Sequence, residues 1–254
     1  MRSVDIMIGT IRVAAFIFLS ASAALAEEIT VAVASNFLPT LQKISNAFEA
    51  ETGNRLRLVN GSSGMLYAQI VNGAPYDVFL SADQDRIERL QKAGLLRAEG
   101  RKTYAVGRLV IYAPGAGMIK DDLRETLSQS TVRRFALANP DLAPYGRAAW
   151  QVLEALHLTA LAARKAVFGS NVAQTFSFLH SRGAEVGFVA LSQVKGMGGE
   201  WQELPAMLYD PILQDAGLLA RDHSNAAARA FFDYLSSPQV LTLISQAGYG
   251  IPEG

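Results

Sequence analysis

The stretch Val31-Ala-Val-Ala-Ser-Asn-Phe-Leu-Pro-Thr40 indicates the fold class of this chain. Its first half is apolar, which predicts a buried strand, and Ser35 and Asn36 follow directly. Ser and Asn are preferred N-cap residues, and Pro39 suits a first helical turn, where its missing N–H is not needed. A strand that runs straight into a polar helix start presents free N–H groups, which favour an anion. A plain helix cap is the alternative interpretation.

The same arrangement of strand, polar turn and helix occurs three more times. The later turns are the segments 60–64, 139–146 and 169–172, which contain Ser63, Tyr145 and Val172. At Val172 a backbone N–H would be the donor, so the side chain need not be polar. Asp77 and Asp83 lie beside another short apolar strand, and we interpret them as turn and cap residues rather than catalytic carboxylates.

Residues 1–26 have the pattern of a secretory signal peptide. Arg2 and Arg12 supply positive charge, residues 13–25 are almost wholly apolar, and Ala24-Leu-Ala26 is a small-x-small cleavage site. The apolar run is short for a membrane span, although an uncleaved anchor is the alternative. We therefore predict export to the periplasm, with cleavage after Ala26.

The composition of the remaining chain excludes several classes of function. Without residues 1–26 it carries 21 basic and 22 acidic residues, so we expect no binding to nucleic acid or to a charged membrane surface. The absence of cysteine excludes disulfides, thiol catalysis and cysteine-ligated zinc. The three histidines, His157, His180 and His223, are scattered and do not show the spacing of a metal site.

The alternation of strands with helices predicts an α/β fold with mainly parallel sheets. Leu109–Ala113, followed by Pro114-Gly115, is interpreted as a crossover into a second lobe, and residues 212–219 as the return segment. We expect lobe 1 to comprise 27–107 and about 208–254, and lobe 2 to comprise about 108–207. Ligands of open α/β sheets bind outside the carboxyl ends of the strands, where all four polar turns are expected.

Several longer motifs add to this interpretation. They are Val31-Ala-Val-Ala-Ser-Asn36, Gly61-Ser-Ser-Gly-Met-Leu66, Gly73-Ala-Pro-Tyr-Asp-Val-Phe-Leu-Ser-Ala-Asp83, Asn139-Pro140 with Pro144-Tyr-Gly146, and Gly187-Phe-Val189. With these motifs the sequence resembles the periplasmic molybdate-binding proteins of ABC transporters over essentially the whole chain after residue 26. The resemblance implies a type II periplasmic-binding-protein fold, in which two lobes enclose a tetrahedral oxyanion. It also implies a membrane permease with its ATPase as partner, no cofactor and no catalysis, and we expect a monomer.

Carried over from this resemblance, the ligand-binding residues are Ser35, Asn36, Ser63, Tyr145 and Val172. The two serines correspond to hydroxyl ligands, and Tyr145 and Val172 to backbone N–H donors. One departure is Ala190, where some members of the family have a ligating tyrosine. We expect Asn36, with the hydroxyl or N–H of Tyr145, to replace that hydroxyl.

The chemistry of the four turns agrees with a fully ionised dianion such as molybdate or tungstate. Such an ion only accepts hydrogen bonds, so neutral donors and helix N-termini suffice. Arg147 is the only basic residue beside these turns in the sequence. Partly protonated phosphate would need a carboxylate acceptor, and none is clearly placed. Sulfate differs from molybdate only in size, which the sequence does not give.

Two further hypotheses belong to other classes of protein. A secreted serine hydrolase would use Ser35 or Ser63, but it needs a histidine base nearby and no Gly-x-Ser-x-Gly elbow is present. A ligand-sensing module for a partner protein would share the same binding site.

Overall fold

The computed structural model describes residues 27–221 and 225–252. The predicted signal peptide, its cleavage site and His223 lie outside the described residues. Within the described ranges, no helix is long and apolar enough to cross a membrane.

Two five-stranded sheets form the centres of two lobes. Sheet 1 has the order β2-β1-β3-β10-β4 and sheet 2 the order β7-β6-β8-β5-β9. In each sheet one strand runs against the other four: β10 in sheet 1 and β5 in sheet 2. The strands are β1 Glu28–Ala34, β2 Arg55–Gly61, β3 Val78–Leu80, β4 Leu96–Gly107, β5 Leu109–Ala113, β6 Phe135–Ala138, β7 Ala166–Gly169, β8 Val186–Ala190, β9 Glu200–Glu203 and β10 Ile212–Leu219.

Helices flank both sheets, as the predicted α/β class requires. They are α1 Leu38–Thr52, α2 Ser63–Val71, α3 Asp85–Lys92, α4 Leu123–Ser128, α5 Pro144–Ala155, α6 Thr159–Lys165, α7 Val172–His180, α8 Leu191–Val194, α9 Ala226–Tyr234 and α10 Pro238–Gln246. In helix α1 the apolar residues recur at helical spacing, so Leu41, Ile44 and Phe48 share one face, which is buried against sheet 1. Burial of each such side chain stabilises the fold by about 1.5–3 kcal/mol. The predicted fold class is confirmed.

The chain crosses between the two sheets twice. It passes from β4 to β5 at Gly107–Leu109 and returns between β9 and β10 over residues 204–211. These two crossings support the lobe boundaries near residues 107 and 208, which stay a prediction.

Two local expectations were wrong, and one strand was not expected. Helix α1 begins at Leu38 after Phe37, without a side-chain cap, so Ser35 and Asn36 do not cap it. Residues 116–134 have the composition of a polar helical region, but the structure has only the short helix α4 there. Strand β4 is a further element, which the charged sequence of 96–107 did not suggest.

Candidate functional site

The turns that follow β1, β2, β6 and β7 meet at one cavity between the lobes. The space between the lining atoms is about 200 Å³, but only about 10 Å³ admits the centre of a water molecule, so the lobes lie close together. The lining residues are Ala34, Ser35, Asn36, Gly61, Ser62, Ser63, Ala82, Ala143, Pro144, Tyr145, Asn171 and Val172. The structure therefore brings together all five residues of the expected ligand set.

Volume alone does not single out this cavity. A larger hollow, with about 740 Å³ of space between its lining atoms, lies on the outside of lobe 1 and is lined by residues that include Tyr76 and Arg221. The Arg221 guanidinium is already paired there with the buried Asp77 carboxylate at 2.9 Å. The smaller cavity is the better candidate because unpaired hydrogen-bond donors from both lobes converge on it.

Ser35 and Asn36 form the turn between β1 and α1. The Ser35 N–H donates to the Gly61 carbonyl at 2.9 Å, whereas the Ser35 hydroxyl has no partner among residues 27–221 and 225–252. The Asn36 N–H likewise has no acceptor in the part of the chain that the structure describes. Both can donate to a bound group.

The amide side chain of Asn36 already forms hydrogen bonds with other residues of the protein. Its Nδ2 donates to Gln214 Oε1 at 3.0 Å and to the Tyr249 hydroxyl at 3.2 Å. Both amide hydrogens are therefore committed within the protein. Of the two Asn36 donors, only the backbone N–H is open to a ligand, which narrows the expected role of this residue.

Ser63 is the first residue of α2, and Ser62 is its N-cap. Ser62 Oγ accepts from the Met65 N–H at 3.2 Å, while Ser63 Oγ accepts from the Ala82 N–H at 2.9 Å. Since the Ser63 oxygen is held as an acceptor, its own hydrogen is free to donate. The structure thus separates a capping serine from a serine that can act as a donor in the cavity.

Tyr145 and Val172 lie in the first turns of α5 and α7, on the lobe 2 side. Neither backbone N–H has an acceptor within the described ranges. Asn171 caps α7 by accepting from the Gln174 N–H at 3.0 Å, so the cap and the free donor are different residues. The positive ends of α2, α5 and α7 therefore meet at the cavity, where they favour an anion.

The Tyr145 hydroxyl lies at the crossing between the lobes. It accepts from Gln214 Nε2 at 3.3 Å. Burial raises the pKa of Tyr145 well above its usual value, so the phenol stays neutral. The hydroxyl of this residue is thus engaged within the protein, whereas its N–H has no acceptor among the described residues.

A buried cation that the sequence did not suggest lies beside Gly64 of α2. Arg86 is 6% exposed, forms an ion pair with Asp83, and donates from Nη2 to the Asp141 carbonyl of lobe 2 at 3.0 Å. Arg147, which the sequence placed nearest, is exposed and does not line the cavity. Neither Arg86 nor Asp83 lines the cavity, and the lining has no charged side chain.

Ala190 ends β8 and is completely buried. Its N–H donates to Gln193 Oε1 at 3.0 Å, and it does not line the cavity. On the lobe 2 side of this region, Ser192 Oγ donates to the Tyr249 hydroxyl at 2.8 Å. Gln214, Tyr249 and Arg86 are among the polar residues of this region that sequence reasoning missed. The polar Gln214-Asp215 pair within the apolar return segment was the one available signal.

The described residues do not support the other chemistries that the sequence left open. No group of three or more His, Cys, Asp or Glu side chains among them could hold a metal ion. His157 and His180 do not line the cavity, and the His180 ring packs on Phe176 with 4.3 Å between centroids. Neither of these two histidines is thus placed as a general base for Ser35 or Ser63.

Comparison with known proteins agrees with this geometry. A family model described as bacterial extracellular solute-binding protein matches residues 29–250. The molybdate-binding protein ModA of Azotobacter vinelandii is 44% identical over 237 residues, which covers 92% of this chain and 94% of that protein. ModA of Rhodobacter capsulatus is 38% identical over 227 residues and 89% of each chain.

A solved structure gives the same result. The periplasmic molybdate-binding protein of Azotobacter vinelandii superposes with a TM-score of 0.84 at 37% sequence identity, covering 89% of this chain and all of that one. These relatives are binding proteins rather than enzymes, in agreement with the expectation of no catalysis.

Proposed function

Since the chain belongs to the family of bacterial extracellular solute-binding proteins, we propose that it binds molybdate, and also tungstate, in the cavity between its lobes. The observation that carries this proposal is the set of neutral donors without partners. The Ser35 and Ser63 hydroxyls and the N–H groups of Asn36, Tyr145 and Val172 line one cavity from two lobes.

This donor set matches the chemistry of a tetrahedral dianion. Molybdate accepts hydrogen bonds at every oxygen and carries no proton at neutral pH, so donors alone satisfy it. Hydrogen bonds to a charged acceptor contribute roughly 1.5–3 kcal/mol each, and three helix N-termini add partial positive charge. The lining includes no carboxylate acceptor for a protonated phosphate oxygen.

The residue roles follow from the contacts of each side chain. Ser35 and Ser63 contribute hydroxyl hydrogens, and Asn36, Tyr145 and Val172 contribute backbone N–H groups. Because these donors are divided between the lobes, a bound anion stabilises the closed arrangement over the open one. The names of the relatives favour molybdate over sulfate as the ligand.

The transport context is part of the proposal. We infer that the signal peptide is removed after Ala26 and that the protein works in the periplasm as a monomer. The closed form delivers the anion to a membrane permease and its ATPase. The ligand is cargo, and no cofactor is required.

Thermal unfolding and titration calorimetry of residues 27–254 with millimolar molybdate, tungstate, sulfate or phosphate test this function. A ligand that binds only the native state stabilises it by about 2.7 kcal/mol at a hundredfold excess over Kd. We expect a shift with molybdate and tungstate. An equal shift with sulfate would indicate a general oxyanion receptor, and no shift with any of the four would refute the proposal.

A further inference from the structure

We propose that Gln214 is a positioning residue that holds the donor segments of the two lobes in their binding geometry; this inference rests on the proposed function of the cavity. Gln214 lies in β10, the strand that re-enters lobe 1, and is completely buried. It does not line the cavity. Its action on a ligand would therefore be indirect.

The hydrogen bonds of Gln214 join one donor residue from each lobe. Its Oε1 accepts from Asn36 Nδ2 at 3.0 Å, and its Nε2 donates to the Tyr145 hydroxyl at 3.3 Å. Asn36 is a lobe 1 donor and Tyr145 a lobe 2 donor in the proposed site. A single planar amide thus links their side chains, while their backbone N–H groups stay open to the anion.

The surroundings of Gln214 fix its orientation. The Tyr104 hydroxyl lies 3.0 Å from Gln214 Oε1 and 3.2 Å from the Ser81 carbonyl, and its hydrogen can be donated to either. Together with the donation from Asn36 Nδ2, this contact places Oε1 on the side of the donors and leaves Nε2 for Tyr145. The register between β10 and β4 shifts at Gln214 and Asp215, and shifts of this kind redirect side chains near functional sites. All partners are neutral, since burial raises the pKa of the Tyr104 and Tyr145 phenols well above their usual range.

Gly107, at the crossing between the lobes, leaves room for this contact. A Cβ at position 107 would collide with the Tyr145 hydroxyl and would come within 2.9 Å of Gln214 Nε2. The hydrogen bond between Gln214 and Tyr145 therefore requires a residue without a side chain at position 107. Because this link joins residues of opposite lobes, its loss should favour the open form.

A second polar link acts in parallel and ends on the same residue. The Tyr249 hydroxyl accepts from Ser192 Oγ of lobe 2 at 2.8 Å and donates to the Asn36 carbonyl at 2.8 Å. These two links thus reach Asn36, one through its side chain and one through its backbone carbonyl. This explains why the Asn36 amide is used within the protein rather than toward the cavity.

A double-mutant cycle on molybdate affinity tests the proposal. Tyr145→Phe removes only the hydroxyl and Gln214→Met removes the amide at similar volume. We expect each to weaken binding about five-fold, the effect of one buried neutral hydrogen bond or somewhat more. In the Gln214→Met background, Tyr145→Phe should change Kd less than two-fold. If Tyr145→Phe changes Kd by the same factor in the parent protein and in Gln214→Met, the proposal is overturned, because the Tyr145 hydroxyl would then act independently of Gln214.

The matched control is Tyr112→Phe, which deletes a buried hydroxyl that donates to the Gly198 carbonyl at 2.9 Å within lobe 2. It should leave molybdate affinity unchanged, and a five-fold loss there would mean that any lost tyrosine bond affects the site. If Gln214→Met does not fold, Gly107→Ala disturbs the same contact from the backbone side. Gly107→Ala should also weaken binding, and unchanged affinity would count against the proposal.

A measurement without ligand separates this proposal from the proposed function. The chain has no cysteine, so Ala68→Cys and Ala160→Cys, on exposed positions of opposite lobes, allow a pair of fluorescent labels. Gln214→Met should shift the ligand-free distance distribution toward longer separations. If this shift occurs but the parent protein does not bind molybdate, the proposed function is refuted, whereas the role of Gln214 in holding the lobes together is retained. Binding by the parent protein, with unchanged distances and unchanged affinity in Gln214→Met, would refute the positioning role alone.

Discussion

Replacing the two serines of the cavity one at a time should separate ligand binding from folding stability. In Ser35→Ala the lost hydroxyl has no partner among the described residues, so only the contact to the anion disappears. A hydrogen bond to a charged acceptor contributes roughly 1.5–3 kcal/mol, which corresponds to a loss of about 10- to 150-fold in Kd. The ligand-free melting temperature should stay within about 1 °C of the parent value.

Ser63→Ala should show both effects. The same loss of affinity is expected, but Ser63 Oγ also accepts from the buried Ala82 N–H at 2.9 Å. An unsatisfied buried donor costs about 1–3 kcal/mol, and each kcal/mol lowers the melting temperature of a protein of this size by about 2–4 °C. The ligand-free Ser63→Ala protein should therefore melt several degrees lower.

Titration calorimetry with molybdate and thermal unfolding without ligand measure the two quantities. Ser177→Ala is the control, because its hydroxyl donates to the Ala173 carbonyl within α7 and Ser177 does not line the cavity. Wild-type affinity in Ser35→Ala would remove this hydroxyl from the site. An unchanged melting temperature in Ser63→Ala, together with a lost affinity, would show that the bond to Ala82 does not contribute to stability.

Three further predictions concern the surroundings of the cavity. Ala190→Tyr should not improve molybdate affinity and should lower the melting temperature, because position 190 is completely buried and a larger side chain overpacks it; a gain in calorimetric affinity would contradict this. Arg86→Met should destabilise the ligand-free protein by about 3 kcal/mol in denaturant unfolding, since it leaves the largely buried Asp83 carboxylate without its charged partner. The same substitution should weaken molybdate binding, because it removes the bond to the Asp141 carbonyl of lobe 2. Molybdate affinity should vary less than two-fold between pH 6 and 9, because no lining side chain titrates there and burial moves the Tyr145 pKa upward, away from this range; a pH-dependent Kd in titrations would contradict it.

The first strand and the meeting of the four turns could be predicted from the sequence because both depend on local patterns. Alternation of strand and helix fixed the class, and the carboxyl-end rule for α/β sheets placed the turns together. The helix start after β1 was wrong for a physical reason. Ser and Asn are typical cap residues, but neither side chain caps α1. Ser35 lines the cavity, and the Asn36 side chain donates to Gln214. Functional sites are where local rules fail.

Strand β4 was missed because its sequence is charged. Arg101 and Lys102 lie in the middle of it, which usually indicates a loop. The strand is at the edge of sheet 1, where charged side chains can reach solvent or partners. Arg101 pairs with the buried Asp215 of β10 at 2.7 Å, a contact between residues 114 positions apart in the sequence.

The role of Arg86 illustrates the same limit. Its pairing with Asp83 is an i,i+3 contact that the sequence contains, but its bond to the Asp141 carbonyl depends on how two lobes come together. Sequence proximity therefore selected Arg147, which is exposed, instead of Arg86. A single sequence does not give distances between segments that meet only in the folded state.

The affinity of a site built from backbone donors depends on the relative position of helices and lobes more than the affinity of a site built from long charged side chains does. A lysine or arginine can follow an anion through several ångströms, whereas the N–H groups of Asn36, Tyr145 and Val172 move only with their helices and lobes. Hydrogen bonds weaken steeply outside their normal length and angle, so a small rotation between lobes would disrupt donors on one side at once. Residues that set the angle between the lobes, Gln214 and Arg86 among them, should therefore affect affinity even though they do not touch the anion.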